Sequence, residues 1–89
     1  MVHIIDDRLY MGRVMNTYRG HLDSYEFVAK SSRLISPERA DRDARRRLDI
    51  EAARTGADIV FIERIEYGKA GFFGMHVCDI HSKLYRFKF

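Results

Sequence analysis

The chain of 89 residues has few of the features that mark secreted and membrane proteins. Its single cysteine, Cys78, cannot form an internal disulfide, so the fold does not need an oxidising compartment. No apolar run approaches the roughly 20 residues that a membrane-spanning helix requires. The apolar residues 2–5 are followed at once by two aspartates, which is unlike a signal peptide. These absences predict a soluble, cytoplasmic protein without a membrane span.

The chain also has no strong excess of charge of either sign. The formal net charge is +3, and the positive excess lies in residues 67–89, which carry four basic residues and one acidic residue. This is short of the basic surface expected of a dedicated nucleic-acid-binding domain. A hydrophobic content of 46%, with six Phe and five Tyr but no Trp, indicates a globular chain. The length predicts a single domain over residues 1–89.

The only proline marks the start of the principal predicted helix. Pro37 suits the first helical position because no N–H is needed there, and Ser36 before it is a good N-cap residue. Gly56 is typical of the left-handed residue that ends a helix. Between them, small apolar residues recur every four positions: Ala40, Ala44, Leu48 and Ala52. This pattern predicts a helix over about residues 37–55 that packs closely on a sheet through its alanines.

Strand patterns lie on both sides of this helix. The apolar run at residues 59–62 predicts a buried strand, and residues 68–71, with two glycines, predict a hairpin loop after it. Before the helix, strand-forming side chains surround Gly12 in residues 9–15, which predicts a strand with a bulge. The alternation at residues 25–29 favours another strand, with a short helix as the alternative. The predicted fold class is α+β, with a mostly antiparallel sheet of four to five strands and one principal helix on one face.

The C-terminal residues predict an interaction surface. Tyr85, Phe87 and Phe89 alternate with basic residues, as in an amphipathic strand that reaches the last residue. Ile50 falls off the alanine stripe and stands among charges on the flank of the helix. On an edge strand, these aromatics would need a cover, supplied by a second copy or by another protein. The first hypothesis is therefore a non-catalytic interaction or assembly module that acts through a sheet edge or a homo-oligomeric surface, by strand addition.

A basic cluster supports an alternative hypothesis of nucleic-acid binding. The cluster combines three consecutive helical arginines with the basic residues of the C-terminal strand: Arg45, Arg46, Arg47, Lys83, Arg86 and Lys88. With exposed aromatic rings nearby, these residues could hold single-stranded RNA or DNA through backbone charge and stacking. Aspartates are interleaved with the helical arginines, however, and such mixed charge favours a solvated helix face with i,i+4 ion pairs.

A third hypothesis is a metal site near the cysteine. The segment His76-x-Cys78-x-x-His81 contains ligands that soft metals prefer, and on a strand His76 and Cys78 project from the same face. His81 would face the other way unless the chain turns after Ile80. The same geometry argues against a Cys–His nucleophile, because parallel neighbours on a strand leave nothing to orient the base. No catalytic set and no cofactor are predicted, so the protein is not expected to be an enzyme.

The end of the helix carries a family resemblance. Residues 51–60 have the form of a helix that ends in Gly56-Ala57-Asp58 and feeds a strand, and a later strand contains Gly74-Met75-His76-Val77-Cys78. Over roughly residues 12–80 this resembles the YbjQ-like group, described as candidate heavy-metal-binding proteins, and the globular domain of RcsF-like envelope stress lipoproteins. The lipoprotein domain uses paired cysteines, whereas this chain has one. The resemblance implies an α+β unit that forms a ring or binds a partner.

Overall fold

The structure, a computed structural model, describes residues 2–71 and 73–88. It contains four strands and two helices in the order β1 (His3–Ile5), α1 (Arg8–Thr17), β2 (Leu22–Lys30), α2 (Pro37–Thr55), β3 (Ile59–Ala70) and β4 (Met75–Phe87). The four strands form one mixed sheet, so the predicted α+β class is confirmed. Neither helix in the described part of the chain is both long enough and apolar enough to cross a membrane.

The principal helix α2 begins and ends as the sequence predicts. The Ser36 hydroxyl accepts a hydrogen bond from the Arg39 N–H at 3.2 Å, which satisfies one of the unpaired amides at the helix start. Gly56 ends the helix with a φ of 69°, a left-handed conformation that glycine adopts without strain. The predicted apolar stripe is buried: Ala40, Ala44, Leu48 and Ala52. Its small side chains let α2 lie close on β4 and β2.

The sheet places β2 at one edge and β4 in the interior. The strands lie in the order β1-β3-β4-β2. β1 is parallel to β3, and β4 is antiparallel to both of its neighbours, so β1, β2 and β3 run in the same direction. α2 therefore carries the chain from β2, across β4, to β3. β4 then returns from the β3–β4 hairpin into the space between β3 and β2.

The two helices cover opposite faces of the sheet. The larger hydrophobic cluster lies under α2 and joins its alanine stripe to Val60, Ile80 and Leu84. The smaller cluster contains Met11 of α1 together with Tyr85 of β4. Leu84 and Tyr85 belong to different clusters because successive side chains of a strand point to opposite faces. Both faces thus contribute to the core, with the α2 face contributing the larger part.

Two local predictions from the sequence are wrong. Residues 9–15 form part of helix α1 and not a strand, because the Asp7 carboxylate accepts hydrogen bonds from two amides of the first helical turn. The prediction of one principal helix therefore holds for α2 but misses a second helix. The predicted hairpin loop at 68–71 is displaced along the chain, because β3 continues through Ala70 and β4 begins at Met75.

Candidate functional site at the free edge of the sheet

The free edge of β2 is a long and regular row of unpaired main chain in the described part of the protein. β2 is nine residues long and pairs only with β4, since it is the last strand in the sheet order. Its register with β4 is continuous from Leu22 opposite Phe87 to Lys30 opposite Asp79, with no bulge. β2 contains neither proline nor glycine. It therefore presents a regular row of main-chain groups on its outer side.

The hydrogen bonds that flank β2 show which of its residues face outward. The Lys88 N–H donates to the His21 carbonyl, and the Ser31 N–H donates to the Cys78 carbonyl, both at 2.9 Å. His21 and Ser31, which lie next to the two ends of β2, both carry odd numbers. Main-chain groups alternate between the two sides of an antiparallel strand. Odd-numbered residues of β2 therefore bond β4. The residues whose N–H and C=O groups point away from β4 are Leu22, Ser24, Glu26, Val28 and Lys30.

The side chains of β2 give this edge two different faces. On the α2 face, Ala29 is 1% exposed and Phe27 packs against the core, whereas Tyr25 is 39% exposed. On the opposite face, Val28 is half-buried between Glu26 and Lys30, which are exposed. A partner strand along this edge would thus meet apolar groups on one face. On the other it would meet an acidic and a basic side chain on either side of a valine.

A small cavity lies beside the start of β2, on the face that α2 covers. Its volume is about 220 Å³, and Tyr25, Thr55, Ala57 and Leu84 contribute to its wall. Thr55 ends α2 and Ala57 lies two residues further on, so the cavity lies beside the C-terminus of the helix. Asp23, Ser24 and Tyr25 of β2 all line it, so the cavity adjoins the edge strand. Specificity in strand addition usually comes from such pockets.

The opposite edge of the sheet is a poorer template. β1 pairs with residues 59–61 only, and no strand in the described ranges lies beyond the rest of β3. The register of β3 shifts between Ile62 and Arg64, which is a β-bulge. Bulges twist an edge strand and discourage pairing with another chain. β2 is therefore the better candidate for an interaction edge.

The residues that the sequence predicted as the interaction surface do not lie on an edge strand. Tyr85 is 5% exposed and buried beneath α1, and Phe87 packs against Tyr18 with ring centroids 4.9 Å apart. Both belong to β4, which lies between β3 and β2, so the prediction of an aromatic edge at the C-terminus is wrong. Ile50 is 56% exposed on the outer side of α2. Phe89 lies outside the described residues.

The predicted metal ligands are divided between the two faces of the sheet. Cys78 is fully buried under α2, and this burial raises the pKa of its thiol. His76 shares that face, as predicted. His81 lies on the opposite face, where its Nε2 is 3.1 Å from Glu66 Oε1. Within residues 2–71 and 73–88, no group of three or more His, Cys, Asp or Glu side chains is arranged to hold a metal ion.

The basic residues of the nucleic-acid hypothesis are also dispersed. On α2, Arg45 pairs with Asp41 at 2.9 Å and Arg47 pairs with Asp43 at 3.1 Å, which are the i,i+4 pairs that the sequence suggested. Arg46 is exposed between them.

The basic residues of β4 do not extend this cluster. Lys83 projects from the face of the sheet that α2 does not cover. Arg86 lines the cavity beside β2, and Lys88 Nζ lies 3.3 Å from Asp23 Oδ1. The six residues do not form one basic surface, so nucleic-acid binding stays a prediction of the sequence.

Comparisons with known proteins assign neither a family nor a function to this chain. The chain matches no protein-family model, no curated protein and no solved structure. The resemblance to the YbjQ-like and RcsF-like groups stays a prediction. The candidate site rests on the strand order and main-chain geometry of this chain.

Proposed function

We propose that the protein is a small, non-catalytic interaction and assembly module that acts through the free edge of β2. The observation that carries this proposal is the unbroken row of outward main-chain groups along a nine-residue edge strand. Proteins usually protect such an edge with a bulge, a proline or a covering segment. β2 has no bulge and no proline, and the described part of the chain places no strand over its outer side.

The mechanism is the addition of an extended segment as a fifth strand. Five outward residues can exchange up to roughly ten main-chain hydrogen bonds with an antiparallel strand. Each bond contributes about 0.5–1.5 kcal/mol net, whereas association itself costs about 4–15 kcal/mol. Main-chain bonds alone therefore give modest affinity. Contacts to Glu26, Lys30 and the cavity beside Tyr25 must supply the remaining affinity and the specificity.

One substitution can block this edge without disturbing the sheet. The Val28 N–H points outward, so Val28→Pro removes a donor from the free edge and none from the β2–β4 ladder. Val28→Ala keeps the donor and shortens the side chain, which makes it the matched control. Circular dichroism of both variants checks that the fold is retained.

The test uses a phage-displayed library of random peptides as long as β2, nine residues, selected against the wild-type protein. We expect enriched peptides whose binding Val28→Pro weakens about tenfold or more, while Val28→Ala retains most of the affinity. Enriched peptides that bind the proline variant as tightly as the wild type would show that the edge of β2 is not the binding site.

A further inference from the structure

We infer that the strand added at β2 is β2 of a second copy of this chain, in an antiparallel pair related by a two-fold axis through Val28. The inference rests on the proposed function, because it names the partner of that same edge. Two four-stranded sheets would then join into one continuous sheet of eight strands. A two-fold interface of this kind is self-complementary, so every contact occurs twice.

The charges of β2 carry this inference. With the axis at Val28, each residue faces the partner residue equally far on the other side of Val28. Glu26 then lies opposite the partner's Lys30, and Lys30 opposite the partner's Glu26. All four are exposed residues whose main-chain groups point to the free edge, so the two ion pairs span the seam, one on each side of the axis. Opposite charges directly across a strand pair stabilise it.

The apolar groups of the edge fit the same register. The two Val28 side chains face each other at the axis, between the two ion pairs. On the α2 face, Phe27 lies opposite the partner's Ala29, so an apolar side chain faces an apolar side chain there. Phe27 is only partly buried within one chain, and the partner strand would cover more of it. Each face of the seam therefore pairs groups of matching polarity.

Other two-fold registers lack this complementarity. An axis through Glu26 would place the two Glu26 carboxylates directly opposite each other, and like charges in that position are destabilising. An axis through Tyr25 or Phe27 would place Glu26 opposite a neutral residue, either Ser24 or Val28 of the partner. The axis through Val28 is the register that pairs both charges with opposite charges. It joins residues 26–30 through roughly six main-chain hydrogen bonds, so the dimer is expected to be weak and concentration-dependent.

Charge reversal provides the test, measured by sedimentation velocity over a concentration series up to about 1 mM. We expect the wild-type protein to dimerise, and Glu26→Lys and Lys30→Glu each to weaken dimerisation about tenfold or more. An equimolar mixture of the two variants should form a heterodimer at near wild-type strength. In that heterodimer the Glu26→Lys chain is positive at both positions and the Lys30→Glu chain is negative at both. Each pair across the seam therefore joins opposite charges again.

The mixture also controls for effects within one chain. Glu26 lies opposite Lys83 and Lys30 lies opposite Asp79, so each single variant places like charges across the β2–β4 pair. Mixing two chains cannot repair a defect inside either of them, so recovery in the mixture identifies contacts between chains. Circular dichroism of each variant checks its folding.

The remaining outcomes overturn the inference. A wild-type protein that stays monomeric at the highest concentration has no such dimer, and a dimer that both variants retain uses another surface or register. If, in either case, selected peptides bind the wild-type protein and Val28→Pro weakens that binding, the proposed function survives. Only the identity of the partner is then wrong. If no peptide binding depends on this edge either, both proposals fail.

Discussion

At the residue scale, Asp43 connects α2 to the end of the candidate edge. Its carboxylate accepts hydrogen bonds from the Ser32 N–H at 2.8 Å and from Arg47 Nε at 3.1 Å. The bond from the Ser32 amide is the main reason why the pKa of Asp43 lies below its usual value of 3.8, and the positive charge of Arg47 adds to it. The charged carboxylate therefore holds the segment that follows β2 against the helix.

Removal of this carboxylate should have an effect that depends on pH. Asp43→Ala is expected to lower the free energy of unfolding by about 1 kcal/mol at pH 7, a modest value because the pair is near solvent. Since the pKa of Asp43 is lower in the folded state, its contribution is complete above pH 3.8 and disappears as the pH falls through the folded-state pKa. Urea unfolding at pH 7 and at about pH 2.5 measures the two differences.

Asp49 is the matched control, since it lies on the same helix and is exposed. Asp49→Ala should change the free energy of unfolding little at either pH. An Asp43→Ala penalty as large at about pH 2.5 as at pH 7 would show that the charge of the carboxylate is not responsible for the stabilisation.

At the element scale, two glycines allow a paired test of the helices. Gly12 lies inside α1 with no atom within 4 Å of an added Cβ, and Gly56 ends α2 with equally free space but a φ of 69°. Gly12→Ala should stabilise the protein by about 0.5–1 kcal/mol, because alanine is the better helix former. Gly56→Ala should destabilise it by about 1 kcal/mol, because a left-handed backbone strains alanine.

Thermal unfolding of the two variants measures both effects. Steric contacts cannot explain a difference between them, since neither added Cβ meets a neighbour. If Gly12→Ala is destabilising, then residues 9–15 do not form the helix on which the smaller hydrophobic cluster depends.

The elements that the sequence predicted well are those with signals at both ends. α2 has Ser36, Pro37 and Gly56 at its ends and a regular stripe between them, so its bounds agree with the prediction. α1 has no such pair of end signals, and its short span is rich in strand-forming side chains and contains Gly12. Asp7 is its cap, but two adjacent aspartates are equally typical of a turn.

The position of the candidate edge depends on contacts that no local pattern encodes. The alternation of Tyr25, Phe27 and Ala29 favoured a strand over a short helix, and the structure has a strand there, with Phe27 and Ala29 packed under α2. That β2 lies at an edge follows only from the insertion of β4 between β2 and β3. The aromatic C-terminus suggested instead that the last strand lies at the edge. Apolar alternation is equally typical of a central strand and of an edge strand that needs a cover.

At the scale of the whole molecule, the two helices are held to the sheet very unequally. α2 buries four residues along its length, whereas Met11 is the only residue of α1 that is buried. Leu9 of α1 is 80% exposed. Segments with few buried contacts open locally at lower free energy than the rest of a protein. α1 should therefore open before the sheet does, while Phe27 and Ala29 stay packed beneath α2 and preserve the edge of β2.

Native-state hydrogen exchange measures this order of opening. The amides of α1 should exchange faster than those of α2, and Met11→Ala should accelerate exchange in α1 by about thirtyfold, which corresponds to about 2 kcal/mol. Leu9→Ala, on the same helix but exposed, should leave the exchange rates of α2 unchanged and those of α1 nearly so. Equal acceleration in both helices after Met11→Ala would mean that α1 unfolds only with the whole protein. In that case α1 and the edge of β2 would open together, at the free energy of unfolding of the whole protein.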